Sequence, residues 1–233
     1  MSDLVAGTTM VFKFGTNSDM DSGAEDVWDG GGAYPFPAAA VTLQAVSATS
    51  GDRSASTAAG AKTLNVQGLG EDYKVQSETV TMAGTTAVTL ANTYLRVFRA
   101  KVVTAGSGQT NAADIAVTTT SGTTMARITA GEGQTLMALY TIPADYRYSY
   151  MHGWWCAAGK SVANTIVFRL FERPEGGAWN LKERVEMNDS MPPYQHMYPK
   201  RRYIAPKTDV RVEGTAGANN MRGDAGFDIE LVR

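Results

Sequence analysis

Apolar and polar side chains alternate at every second position through much of the chain. Leu64 and Val66 alternate with Thr63, Asn65 and Gln67, and Val210 and Val212 with Asp209, Arg211 and Glu213. Phe227, Ile229 and Leu231 alternate with Asp228, Glu230 and Val232. Side chains two apart point to one face of an extended strand, so each run predicts a strand with one buried face. No window of about 11 residues holds apolar residues at helical spacing, and turn-forming clusters recur every ~8 to 12 residues. The expected fold class is all-β: an antiparallel β-sandwich or jelly-roll-like architecture, which allows two packed sandwich subdomains.

Taken in order, strands are predicted over 8–14, 41–48, 63–67, 88–90, 94–104, 114–118, 124–129, 136–142, 146–156, 165–171, 179–187 and 227–232. Tyr73 and Val75 share one parity, whereas Val80 and Met82 share the other, which predicts a bulge or a bend near 77–79. Segment 19–37 carries acids, three consecutive glycines (Gly30, Gly31, Gly32) and the aromatics Trp28, Tyr34 and Phe36. It reads as an irregular arm pinned by its aromatics, of a length that suits binding or packing on a neighbour. The Thr/Ser/Gly-rich stretch 104–133 is the weakest point of the pattern, with a boundary expected at 106–111. The predicted organisation is an arm over 1–40, a first sandwich part over 41–110 and a second over 111–233, the last two separate or continuous. Prolines between 191 and 206 exclude a central strand there, because each removes a ladder donor.

Composition narrows the function classes. Lys+Arg 21 against Asp+Glu 23 gives a net charge of −2, which supplies no field for a polyanion, so nucleic acid is disfavoured as a partner. The single cysteine, Cys156, lies in an apolar run and reads as a buried small hydrophobe. The amino terminus, Met1-Ser2-Asp3-Leu4-Val5, lacks a basic region followed by an apolar run, and no segment approaches ~18 apolar residues. Neither a secretory signal nor a membrane span is expected.

Motifs for chemistry are sparse. Gly153 to Ser161 resembles a phosphate loop but has five residues between its glycines where that motif has four. His152 and His196 lack a short ligand spacing, and no Gly-x-Ser-x-Gly elbow is present. Arg222-Gly223-Asp224 spells an adhesion tripeptide and is expected to form the turn before the last strand. Tyr198 and Tyr203 interleave with Lys200-Arg201-Arg202, a basic and aromatic patch that suits a polar contact with an acidic neighbouring subunit.

Several stretches, in order, bear on identity: Trp28-Asp29-Gly30-Gly31-Gly32-Ala33-Tyr34, Gly68-Leu69 with Asp72-Tyr73, Tyr94-Leu95-Arg96 and Thr104-Ala105-Gly106-Ser107-Gly108. Gly133-Gln134-Thr135-Leu136-Met137-Ala138, Tyr140-Thr141-Ile142-Pro143 and Ala225-Gly226-Phe227-Asp228 follow. Their order resembles a family of β-rich virion structural proteins of tailed bacteriophages, across the chain from Phe12 to Val232. It departs from that pattern at Ala144-Asp145 and between 191 and 206. The resemblance implies a non-enzymatic virion component without cofactor or metal, made in the host cytoplasm. A capsid decoration or cement protein is the first expectation, with copies of itself, as in a trimer, and the major capsid protein or tail proteins as partners. A tail, neck or baseplate subunit is the second. A carbohydrate-binding β-sandwich module, using Trp154, Trp155 or Trp179 as sugar platforms, is the third. The expected contact residues are Trp28, Tyr34, Phe36, Tyr194, Tyr198, Arg201, Arg202 and Tyr203.

Overall fold

The computed structural model describes residues 7–161 and 163–233; the expectation for residues 1–5 lies outside them. The described residues form strands and no helix, in antiparallel sheets, as the period-two pattern predicts. The chain divides into two compact units, residues 1–33 with 137–233, and residues 34–136.

The first unit holds β1 (Thr8–Met20), β2 (Glu25–Asp26), β10 (Leu139–Thr141), β11 (Tyr148–Gly159), β12 (Ile166–Arg173), β13 (Asn180–Met187), β14 (Tyr194–Ile204), β15 (Asp209–Ala216) and β16 (Met221–Val232). One sheet has the order β1-β16-β11-β14, and the other β10-β15-β12-β13 with β2 also on β15. β2 and β10 are two halves of one strand position. Asp26 pairs with Glu213 and Leu139 with Arg211, so both run along the same edge of β15. Val27 N donates to Val212 O at 2.9 Å, Val212 N to Ala138 O at 3.0 Å, and Ala138 N to Val27 O at 2.9 Å. With that split strand counted once, the first strand pairs with the last, the second with the second-last, and so inward to the β12·β13 hairpin. This is the strand order of a jelly roll. Its core includes Phe168, Leu170, Val212, Phe227, Ile229 and Leu231 at alternate positions, with Met151, Trp154 and Cys156 brought to the same face by the irregularity between Met151 and Gly153. Burial pushes the Cys156 thiol up to about 12.

The second unit holds β3 (Val41–Ser47), β4 (Ala61–Leu69), β5 (Val75–Thr81), β6 (Val88–Tyr94), β7 (Arg96–Ala105), β8 (Ile115–Thr119) and β9 (Thr124–Ile128). Its sheets have the orders β6-β3-β8-β9 and β5-β4-β7. Leu43, Leu64, Val66, Leu90, Val97, Ile115 and Val117 are buried in it.

Several expectations are corrected. The division at 106–111 falls inside the second unit, where Gly106 N bonds Gly60 O and Gly108 N bonds Ala59 O, both at 2.9 Å. Segment 19–37 is irregular over much of its length and pinned by buried aromatics, but it is not an arm apart from the sheets. Its first part supplies half a strand to the jelly roll, with Trp28 only 2% exposed. That half looked irregular because its continuation, β10, comes only after the inserted unit. Neither the bulge nor the bend expected near 77–79 is present, since β5 is continuous over Val75–Thr81 and pairs with β4 in unbroken register, and Val75 simply faces outward. Irregularity falls on β4 against β7 instead. The run 94–104 breaks at Leu95, whose N–H bonds Leu69 O at 2.8 Å. Of 136–142, only Leu139–Thr141 is strand. Arg222 and Asp224 lie within β16, not in a turn, and pair with each other at 2.9 Å. The proline-punctuated stretch contains an edge strand, β14, as the missing ladder donors require.

Candidate interface on the jelly-roll unit

Paired residues in an antiparallel sheet share a face, so the register places side chains on the outside of β1-β16-β11-β14 in rows. One row runs Met10, Glu230, Tyr150, Tyr203; the next runs Phe12, Asp228, Gly153, Met197; a third runs Phe14, Gly226, Trp155, Gln195. Phe12 is 58% exposed, Met197 and Tyr203 are each 52% exposed, and Phe14 and Tyr148 are open as well. These are most of the large apolar side chains that lie open among the described residues, gathered on one sheet face. Contiguous exposed apolar patches of this kind mark interaction surfaces.

The aromatic groups are held in place by charge and by each other. Tyr148 stacks on Tyr150 at 6.4 Å, and Tyr203 meets Tyr150 edge-on at 6.1 Å. The Arg201 guanidinium lies 4.4 Å from the Tyr150 ring centroid and donates to Glu230 at 2.5 Å. His152 Nε2 lies 2.9 Å from the same Glu230 oxygen. Burial pushes the Glu230 carboxyl up, but the bonds from Arg201 and His152 outweigh it and hold the pKa below the usual carboxylate value.

β14 sends its two parities to different places. Tyr203 and Arg201 belong to the outer face, whereas Tyr194, His196, Tyr198 and Arg202 turn toward the sandwich. Arg202 reaches Glu172 of the other sheet at 2.7 Å. Glu183, on β13, accepts from Trp154 Nε1 at 2.8 Å and from the Tyr198 hydroxyl, lies 2.8 Å from His196 Nδ1, and takes a longer bond from Tyr194 at 3.5 Å. One carboxylate therefore ties the β13 and β14 edges of the two sheets together. Burial raises the Glu183 pKa, but the bonds from Tyr198, His196 and Trp154 prevail and lower it. Glu183→Ala is expected to cost the jelly-roll unit about 2 to 3 kcal/mol, because the buried Trp154 N–H loses its acceptor. A depressed folded pKa means that the ionic contribution is complete above the ordinary glutamate value and disappears as pH falls through the folded value. The stability gap between wild type and Glu183→Gln in urea should therefore be constant near neutrality and shrink below about pH 4.5. A gap that widens on acidification would contradict this assignment.

Of the contact residues expected from sequence, then, Arg201 and Tyr203 lie on the exposed face. Tyr194, Tyr198 and Arg202 are used internally. Trp28 and Tyr34 are buried and cannot serve as surface anchors: the Trp28 indole donates to Gly32 O at 2.9 Å, and the Tyr34 hydroxyl accepts from Val97 N at 3.0 Å. Phe36 packs edge-on against Tyr34 at 4.8 Å with the Arg96 guanidinium 5.3 Å from its centroid. Phe12, Phe14, Trp155 and Met197 were missed, although the parity of Phe12 and Phe14 against Val11 and Lys13 already sets them on a common face.

The remaining motifs also find places. The phosphate-loop-like stretch is continuous strand as far as Gly159. Trp154 is buried, and Trp179 carries the guanidinium groups of Arg173 at 4.5 Å and Arg211 at 4.3 Å, so of the three proposed sugar platforms only Trp155 reaches the outer sheet face. Among the described residues no group of three or more His, Cys, Asp or Glu side chains is placed to hold a metal ion.

Fold and face together define the class: a two-unit antiparallel β-sandwich protein whose jelly-roll unit presents an aromatic sheet face. No protein family, curated protein or solved structure matches the chain.

Proposed function

We propose that this chain is a non-enzymatic structural subunit of a tailed-phage virion, a capsid decoration or cement protein that adheres through the outer face of β1-β16-β11-β14. The observation that carries the reading is the concentration of Phe12, Phe14, Tyr148, Met197 and Tyr203 on one exposed sheet face. Aromatic residues and methionine are enriched at the centres of protein interfaces, and aromatics backed by arginine make the strongest anchors. The order of motifs along the sequence supplies the virion context, and the jelly roll is an architecture that capsid proteins share with many others.

The double variant Phe12→Ser with Tyr203→Ser tests it. Both side chains are solvent-facing, so the variant should keep the wild-type melting temperature within a few degrees while its particle-bound fraction falls at least about tenfold. Particles that retain the variant at wild-type copy number would sink the proposal. Mass-spectrometric stoichiometry separates stations: on the order of hundreds of copies for a shell protein, and about six to twelve for a ring of cyclic symmetry in the tail.

A further inference from the structure

Asp228 stands in the middle of the exposed face. Its row places Phe12 on one side and Gly153 on the other, and its outward neighbours along β16 are Gly226 and Glu230. Two of the four positions around it are glycines, and neighbouring side chains lie over both: an added Cβ at Gly153 would fall 2.7 Å from Met197 Sδ. The Trp155 indole lies across Gly226, where an added Cβ would fall 2.6 Å from Trp155 Nε1, and Phe14 stands opposite that glycine. The result is a carboxylate bordered on the sheet face by Phe12, Phe14, Trp155 and Met197.

The charges nearby are already committed. Arg201 and His152 both converge on Glu230, at 2.5 Å and 2.9 Å. Among the described residues no hydrogen bond or ion pair reaches the Asp228 carboxylate; the charge that acts on it is that of His152, through space. Burial pushes the Asp228 pKa up, and the attraction of His152 only partly opposes this. A half-buried carboxylate without a donor costs free energy that a partner can recover.

We propose that Asp228, Phe12, Phe14 and Trp155 form the seat for one basic side chain, lysine or arginine, projected by the protein that docks on this face. The inference rests on the docking reading above and names the chemistry of the partner. A cation is the one occupant that uses every element: it makes a charge-assisted bond to the carboxylate and lies against the electron-rich ring faces. A hydroxyl donor would satisfy Asp228 but gain nothing comparable from the rings.

The test uses the full chain labelled with 15N at tryptophan, with the Trp155 indole N–H followed by NMR. N-acetyl-arginine methylamide and N-acetyl-lysine methylamide should produce a saturable shift, the glutamine analogue none, and Asp228→Asn should weaken the cation response about tenfold. Equal responses to arginine and glutamine analogues, an unchanged response in Asp228→Asn, or a shift produced by methyl glycosides and not by the cations would each overturn the seat. Particle attachment distinguishes the two proposals. If Phe12→Ser with Tyr203→Ser abolishes attachment but Asp228→Asn leaves it intact, the docking face stands and the cation seat falls. If neither variant changes attachment, the docking face itself is wrong.

Discussion

Gly15→Ala is expected to destabilise the jelly-roll unit by roughly 3 kcal/mol or more, although it adds a single methyl group. Gly15 faces inward from β1, and a Cβ there would sit 2.3 Å from Val27 O and 2.4 Å from Ala138 N. Those two atoms form the 2.9 Å hydrogen bond that joins the halves of the split strand where the second unit leaves and re-enters the chain. The obstacle is backbone on both sides, so no rotamer change relieves it. Either β1 lifts away or the joint opens, and both expose core around Met20 and Val27, which are fully buried. Tryptophan fluorescence during urea unfolding reads this out cleanly, because all four tryptophans (Trp28, Trp154, Trp155, Trp179) belong to the first unit. Gly23→Ala is the control, since nothing lies within 4 Å of its Cβ position. Equal midpoints for the two variants would remove the steric account of the split strand.

Asp52→Ala should have a comparable effect on the second unit, about 3 to 5 kcal/mol. Asp52 is fully buried. Its Oδ1 accepts from Ala61 N at 2.7 Å and Ala112 N at 2.8 Å, and its Oδ2 from the Ser47 hydroxyl at 2.7 Å and Ala113 N at 3.2 Å. One side chain thus satisfies three backbone donors from segments far apart in sequence. Gly60 keeps the approach clear, because a Cβ there would lie 2.0 Å from Asp52 Oδ1. Truncation leaves those buried donors orphaned; Asp52→Asn preserves one acceptor but turns an N–H2 group toward another donor, so it should lose less than Asp52→Ala and more than nothing. Far-UV circular dichroism in urea should show the loss, with faster amide exchange at Ala61, Ala112 and Ala113. A wild-type midpoint for Asp52→Ala would show that these bonds contribute nothing net.

The candidate face shows where reading a sequence stops. Tyr198, Arg201, Arg202 and Tyr203 look equivalent as a basic and aromatic patch, yet they divide between two environments. The even members Tyr198 and Arg202 turn toward the sandwich and the odd members Arg201 and Tyr203 toward solvent, and this parity holds on both sides of the jump in pairing from Arg202 to Met197; it is on β11 that the outward parity changes, from Tyr150 to Gly153 and Trp155. Alternation separates the two sets, but a one-residue change of parity exchanges inside for outside, and no local feature of the tripeptide Lys200-Arg201-Arg202 records which set the second sheet covers. Trp28 illustrates the opposite error. Its glycine-rich surroundings suggest an exposed loop, but the ring is buried because the chain there completes β15's edge together with residues 139–141.

By itself the sequence determined the all-β class, most of the strands and the burial of Cys156, Phe227, Ile229 and Leu231, because alternation and turn chemistry act over a few neighbouring residues. Only the tertiary structure decided the pairing of first strand with last, the strand split by an inserted unit, and the choice of Phe12, Phe14 and Tyr203 as the outward set. Alternation distinguishes two faces of a strand without saying which one a second sheet will cover. That choice is made by pairings between residues far apart in the chain, where burial of one face and hydrogen bonding along both edges must be satisfied together.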